Sequence, residues 1–367
     1  MNELQRLHDL GQSVWLDFLR RGMLVDDTFE RMTRDWSITG VTSNPTIFAA
    51  ALRSGDYDDD ITDAAGHREP LDLFYDLALP DIRDVAEILE PTWEATKGHD
   101  GYASFELQPN VADDAAASVA SVKQLFARIG RPNVMIKVPG TTAGIAAARE
   151  LTAEGHNVNV TLLFSVRMYE RFANAYIEGL ETRLSAGQGV SGIASVASFF
   201  VSRVDRVVDR ALPAGSPLRG LAAVANARDA YHRFEEIFSG PRWERIRAAG
   251  GRPQRPLWAS TGTKDAAYSD VKYVEELVAH ETVTTVPEAT LRAFLDHGRA
   301  AHAAMDDFER VLHDLRAEGV DLDLIGEQLL VEGIRAFEDD MGTLLAQLGG
   351  SGPDPTISSG SKEARLA

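Results

Sequence analysis

The sequence contains no cysteine and very little lysine. Without cysteine there can be no disulfide, thiolate metal ligand or cysteine nucleophile, a usage that fits a reducing compartment. Only six lysines (positions 97, 123, 137, 264, 272 and 362) stand among the 37 basic residues, and the rest are arginine. Positive charge is short overall. The formal net charge of −19 argues against nucleic-acid or anionic-membrane partners, which need a basic field. The nine histidines are scattered without a ligand spacing such as HExxH, so no metal centre is expected. No run reaches the roughly 18 uncharged apolar residues of a membrane span, and the polar residues 1–6 lead into no apolar segment of signal-peptide type. A soluble, cytoplasmic chain is the expectation.

With 367 residues and 44% hydrophobic content, the chain can build a sizeable core, either as one large α/β barrel or as two ordinary domains. Pattern decides between them. Eight short apolar or alternating segments, at 14–18, 40–43, 102–107, 134–138, 157–164, 192–198, 257–261 and 282–286, are each followed by a stretch long enough for a helix. Eight β-then-α units predict a closed (β/α)8 TIM barrel. Tyr169, Phe172, Ala173, Tyr176, Ile177, Leu180 and Leu184 recur at steps of three and four, an apolar helical stripe that belongs to the core. The long spacers after the second and sixth strands predict additional surface helices. Residues 322–348 read as an amphipathic helix packed across one end of the barrel or near its mouth. The expected organisation is a single catalytic domain over 1–348 with a flexible tail at 349–367, rich in Gly, Ser and Pro.

Lys137 lies in Val134-Met135-Ile136-Lys137-Val138-Pro139, enclosed by strand-forming apolar residues. Burial disfavours the charged form of a lysine, and the neutral amine is the form that attacks a ketone. In a chain that uses arginine almost everywhere, a lysine kept in an apolar strand points to chemistry that a permanently protonated guanidinium cannot perform. The bland alternative is a snorkelling or ion-paired lysine. Barrel active sites are built at the C-terminal strand ends, which brings in Asp17, Thr42-Ser43-Asn44-Pro45-Thr46, Glu106, and Asn157, Asn159 and Thr161 at alternate positions of one strand. Ser198, Phe200 and Arg203 follow, and then Ser260-Thr261-Gly262-Thr263-Lys264-Asp265. Taken singly, such residues also serve as caps or turns, and Asn44 before Pro45 fits a helix cap as well as a ligand contact. Three ionisable groups, Asp17, Glu106 and Lys137, set in apolar strands of one barrel are less easily explained that way. The arginines at 242, 245, 247, 252 and 255 cluster in sequence and read as a solvated surface helix.

Gly40-Val41-Thr42-Ser43-Asn44-Pro45-Thr46, Ile136-Lys137-Val138-Pro139 and Asn159-Val160-Thr161-Leu162-Leu163-Phe164 closely resemble the signature segments of transaldolases, and most of all those of the longer actinobacterial-type branch. The resemblance implies a cofactor-free enzyme that moves a dihydroxyacetone unit from sedoheptulose 7-phosphate to glyceraldehyde 3-phosphate, giving erythrose 4-phosphate and fructose 6-phosphate. It implies Lys137 as Schiff-base residue, Asp17 as general acid/base, and Glu106 with Thr161 handling water. Asn44 and Asn159 would hold the dihydroxyacetone hydroxyls, and Ser198, Phe200 and Arg203 the phosphate end. The family's second phosphate arginine is missing, and Lys264 is the expected replacement. The alternatives are an aldolase that releases free dihydroxyacetone and a non-catalytic phosphosugar-binding protein. Monomer and homodimer are both left open.

Overall fold

The computed structural model describes residues 1–64, 67–305 and 308–349. The expected tail, apart from Gly349, lies outside the described residues. Eight parallel strands close on themselves in sequence order: β1 (Gln12–Leu16), β2 (Ile38–Thr42), β3 (Tyr102–Glu106), β4 (Val134–Pro139), β5 (Val158–Leu163), β6 (Ser195–Phe200), β7 (Gln254–Ala259) and β8 (Thr282–Val286). Every residue of all eight is buried, the pattern of strands covered by helices on one face and packed into a barrel interior on the other. This is the (β/α)8 barrel with additional helices.

Helices follow where the apolar stripes require them. Val166–Ser185 starts on a Ser165 cap and buries Tyr169, Phe172, Ala173, Tyr176, Ile177 and Leu180. The long spacer after β2 holds Pro45–Leu52, Asp58–Ala64 and Pro70–Ala95, and that after β6 holds Ser202–Ala211, Ala222–Ile237 and Pro241–Ala248. The C-terminal helix Leu322–Leu348 has the expected bounds and lies at the mouth, against Pro45–Leu52, β5 and Ser202–Ala211. Its Gly333 makes the close approach possible, since a Cβ there would sit 2.9 Å from a methyl of Leu162 and 3.7 Å from an Nη of Arg203.

Several strand ends differ from the expected ones by two or three residues. β1 stops at Leu16, so Asp17 stands just beyond it, whereas β6 extends to Phe200 and takes Ser198 into its interior. The arginine cluster needs a larger correction. Arg242, Arg245 and Arg247 do lie on a surface helix, but Arg255 belongs to β7 and is 4% exposed. Its guanidinium fills the N-terminal end of the barrel and donates to Ser13 Oγ (2.8 Å) and the His99 carbonyl (3.1 Å), because strand alternation turns it inward.

Gly144 fixes how the helix Thr142–Glu154 leaves the end of β4, the strand of Lys137. A Cβ at 144 would lie 2.0 Å from the Pro139 carbonyl oxygen, a backbone atom that cannot rotate away. Gly144→Ala should therefore destabilise the protein by about 1–3 kcal/mol despite alanine's better helix propensity. Gly189→Ala, with nothing within 4 Å of the added methyl, should be near neutral. Urea unfolding of both variants checks the difference.

Candidate active site

Parallel register places three polar side chains side by side at the C-terminal end of the barrel: Glu106 pairs with Lys137 across β3 and β4, and Lys137 with Asn159 across β4 and β5. Lys137 Nζ lies 2.7 Å from Glu106 Oε2 and donates to the Ser43 carbonyl at 3.1 Å. Lys137 is 4% and Glu106 7% exposed. At that distance the two form a buried ion pair. Burial pushes the Glu106 carboxyl upward, the Lys137 ammonium opposes that, and the negative charge of Asp17 adds to it.

Asp17 is half-buried above the end of β1, and its Oδ1 accepts from Thr42 Oγ1 at 2.9 Å. On the opposite wall, Asn159 donates to Ser104 Oγ (3.0 Å) and accepts from Ser198 Oγ (2.7 Å). This chain of hydrogen bonds fixes the carboxamide's orientation. Thr161 is fully buried, and its hydroxyl has no partner among the described residues. Directly after it, β5 bulges. The register shifts between Val160 and Leu163, and Leu162 takes a left-handed φ of 60°. A non-glycine residue in that region costs about 1–2 kcal/mol, and such bulges re-aim side chains beside functional sites.

Asn44 does two things. Its Oδ1 accepts from Ile47 N at 2.9 Å, capping the helix Pro45–Leu52, and its Nδ2 makes no hydrogen bond among the described residues. Arg203, on the helix after β6, stacks over the Phe200 ring at 5.4 Å. Burial and neighbouring Arg206 lower its pKa, while Asp17 and two C-terminal-helix acids, Asp340 and Glu332, act the other way. Asp17, Glu106, Lys137, Asn159, Ser198, Phe200 and Arg203 thus share one mouth. Asn157 does not. Its side chain is tied to backbone at Pro132, Val134 and Ala194, near the N-terminal strand ends. Among the described residues, no group of three or more His, Asp or Glu side chains is placed to hold a metal ion.

Lys264 is exposed on the segment after β7. It lines a cleft of about 310 Å³ with Arg206, Arg210, Arg219 and the buried carboxylates Asp205 and Asp209. Sequence reasoning missed Arg206, and also Ser104 and Thr285. Ser104 was accessible from alternation, being two residues before Glu106 on one strand, but neither Arg206 nor Thr285 carries a comparable signal. No described helix is long and apolar enough to cross a membrane.

Residues 14–348 match the family model described as Transaldolase/Fructose-6-phosphate aldolase. A transaldolase of Saccharopolyspora erythraea is 44% identical over 353 residues, covering 94% of this chain and 96% of that protein. Transaldolase 1 of Streptomyces avermitilis is 43% identical over 369 residues, covering 96% and 98%. A transaldolase of Thiobacillus denitrificans is 41% identical over 359 residues, covering 95% and 100%.

The segment carrying Lys264 is anchored to the helix Ser202–Ala211. Asp205 accepts from Ala223 N (2.7 Å) and Tyr273 OH (2.8 Å), and Asp209 from Gly220 N and Tyr268 OH (both 2.8 Å). Burial pushes the Asp205 carboxyl up to about 6 from its ordinary 3.8. The folded state therefore holds this proton more tightly than the unfolded chain does. The stability it confers is complete below the ordinary value and is lost as pH rises through the raised one. Relative to Asp205→Asn, which cannot titrate, the wild type should lose about 1 kcal/mol between pH 5 and pH 8, as measured by urea midpoints.

Proposed function

The chain belongs to the transaldolase/fructose-6-phosphate aldolase family and is an enzyme of the transaldolase type, and we propose that it works through a Schiff base on Lys137. The observation that carries this reading is the buried 2.7 Å contact between Lys137 and Glu106. Passing a proton from the ammonium to a carboxyl already raised by burial yields the two species that imine formation needs, a neutral amine and a nearby acid. Nζ attacks the ketose carbonyl. Glu106, with a water held at the free Thr161 hydroxyl, returns the proton as the carbinolamine loses hydroxide as water.

Asp17 then takes the proton from the hydroxyl on the carbon that becomes the aldehyde. The carbon–carbon bond breaks, its electron pair flows into the protonated imine, and a dihydroxyacetone enamine remains on Lys137. Asn44 Nδ2 and the oriented carboxamide of Asn159 hold its hydroxyls, which keeps it placed for the second aldose phosphate. The phosphate is taken by Arg203 beside Phe200 and Ser198, and Lys264, which lines a neighbouring cleft with Arg206, is the second cation of this reading. The substrates are sugar phosphates. Donor and acceptor are sedoheptulose 7-phosphate and glyceraldehyde 3-phosphate, and the setting is the cytoplasm.

Borohydride reduction with fructose 6-phosphate, followed by peptide mass spectrometry, should find a reduced three-carbon adduct on Lys137 and none in Lys137→Ala. Adding an acceptor aldose phosphate before reduction should remove that adduct. If it stays, the protein cleaves without transferring, and if no lysine is modified, the Schiff-base reading fails. Glu106→Gln should lower kcat by about 10²- to 10⁴-fold in a coupled assay. Lys264→Ala should raise KM for the phosphorylated donor with less effect on kcat, and an unchanged KM would remove it from the phosphate site.

A further inference from the structure

Two hydroxyls that the reaction scheme leaves unused, one from β2 and one from β8, are linked to Asp17 at the end of β1. Thr42 Oγ1 at the end of β2 lies 2.9 Å from Asp17 Oδ1, 2.8 Å from Thr285 Oγ1 on β8, and 3.2 Å from the Leu16 carbonyl on β1. Thr42 and Thr285 are 2% and 1% exposed, so the hydroxyl pair is shut away from solvent. The Asp17 backbone is held by the same strands, since its N–H donates to the Val286 carbonyl at 2.9 Å.

A hydroxyl has one proton to give, so Thr42 cannot donate to all three neighbours at once. When Asp17 is ionised it only accepts. Thr42 then donates to Oδ1, and Thr285 donates to Thr42. When Asp17 carries a proton, its O–H donates to Thr42 Oγ1, and the Thr42 proton turns to the Leu16 carbonyl while Thr285 continues to donate to Thr42. Both states are fully bonded without any heavy atom moving. An amide in place of Thr42 would match only one state, and an apolar residue neither.

We propose that Thr42, backed by Thr285, is a positioning residue that holds Asp17 in one place through both protonation states of carbon–carbon bond cleavage. The proposal rests on the reading of Asp17 as the general base. It predicts a defect confined to cleavage, because imine formation at Lys137 does not require Asp17 to change its protonation.

Thr42→Val, close in shape but lacking the hydroxyl, should lower kcat by about 10- to 100-fold and leave KM for fructose 6-phosphate within about twofold. Thr42→Ser should restore most of the rate. Borohydride trapping reads the step directly. Wild type should yield mainly the three-carbon adduct on Lys137, whereas Thr42→Val should accumulate the uncleaved six-carbon adduct. Thr285→Val should show the same shift more weakly, and adding it to Thr42→Val should cost nothing further, because it acts through Thr42. If Thr42→Val fails to fold, as judged by its melting curve, Thr285→Val and Thr42→Ser carry the test. Unchanged turnover in Thr42→Val, additive losses in the double variant, or an unchanged adduct ratio would each overturn the proposal. Asp17→Asn separates the two levels. If it turns over normally, the reading of Asp17 fails, whereas if it is inactive while Thr42→Val is normal, only the positioning role fails.

Discussion

Keeping an ammonium and a carboxylate 2.7 Å apart inside a barrel is the constraint from which much of this structure follows. Removing two charges from water costs several kcal/mol per ion, and their mutual attraction offsets that only when the remaining valences are met. Lys137 has a second acceptor in the Ser43 carbonyl, supplied by the end of β2 across the barrel. Glu106 and Lys137 are register partners on adjacent strands, so their separation is set by strand pairing and not by side-chain flexibility. Neighbouring Asn159 is locked by Ser104 and Ser198. The polar interior is therefore a set of fixed dipoles, prepared before any ligand arrives.

The rim is built by different means. Its parts come from helices and connections held by polar contacts, with the buried carboxylates Asp205 and Asp209 fastening the segment after β7 and, on the surface, Thr46 donating to Asp340 of the C-terminal helix. That helix reaches Leu162 and Arg203 because Gly333 presents no side chain to them. Chemistry at the floor thus stands on β-sheet register. The rim stands on tertiary contacts, some between residues as far apart as Thr46 and Asp340.

This division explains what could be read from the sequence. Period-two alternation and apolar strands exposed the barrel and singled out Lys137, Glu106 and Asn159, because the signal and the geometry share one cause. The C-terminal helix was legible to the residue, since its stripe is continuous over Leu322–Leu348. Strand ends were not, because they depend on pairing partners. For the same reason, the bulge at Leu162 left no trace in its apolar run. Arg255 was misread because five arginines near each other in the chain look solvated, whereas its own strand turns it inward. Thr285 escaped because its importance lies in a contact with Thr42, 243 residues away.

Asn44 shows how economically one side chain can be used. Its oxygen is committed to the first turn of the helix Pro45–Leu52, while its amide hydrogens make no hydrogen bond among the described residues. With one lone pair already given to the helix, the carboxamide offers chiefly its N–H side to anything that approaches, so the group is polarised by its own fold. Aspartate would keep the helix start and put a negative charge where Asn44 has N–H donors. The cap and the unpaired donors thus sit on different atoms of one residue, so a substitution can remove either and leave the other in place.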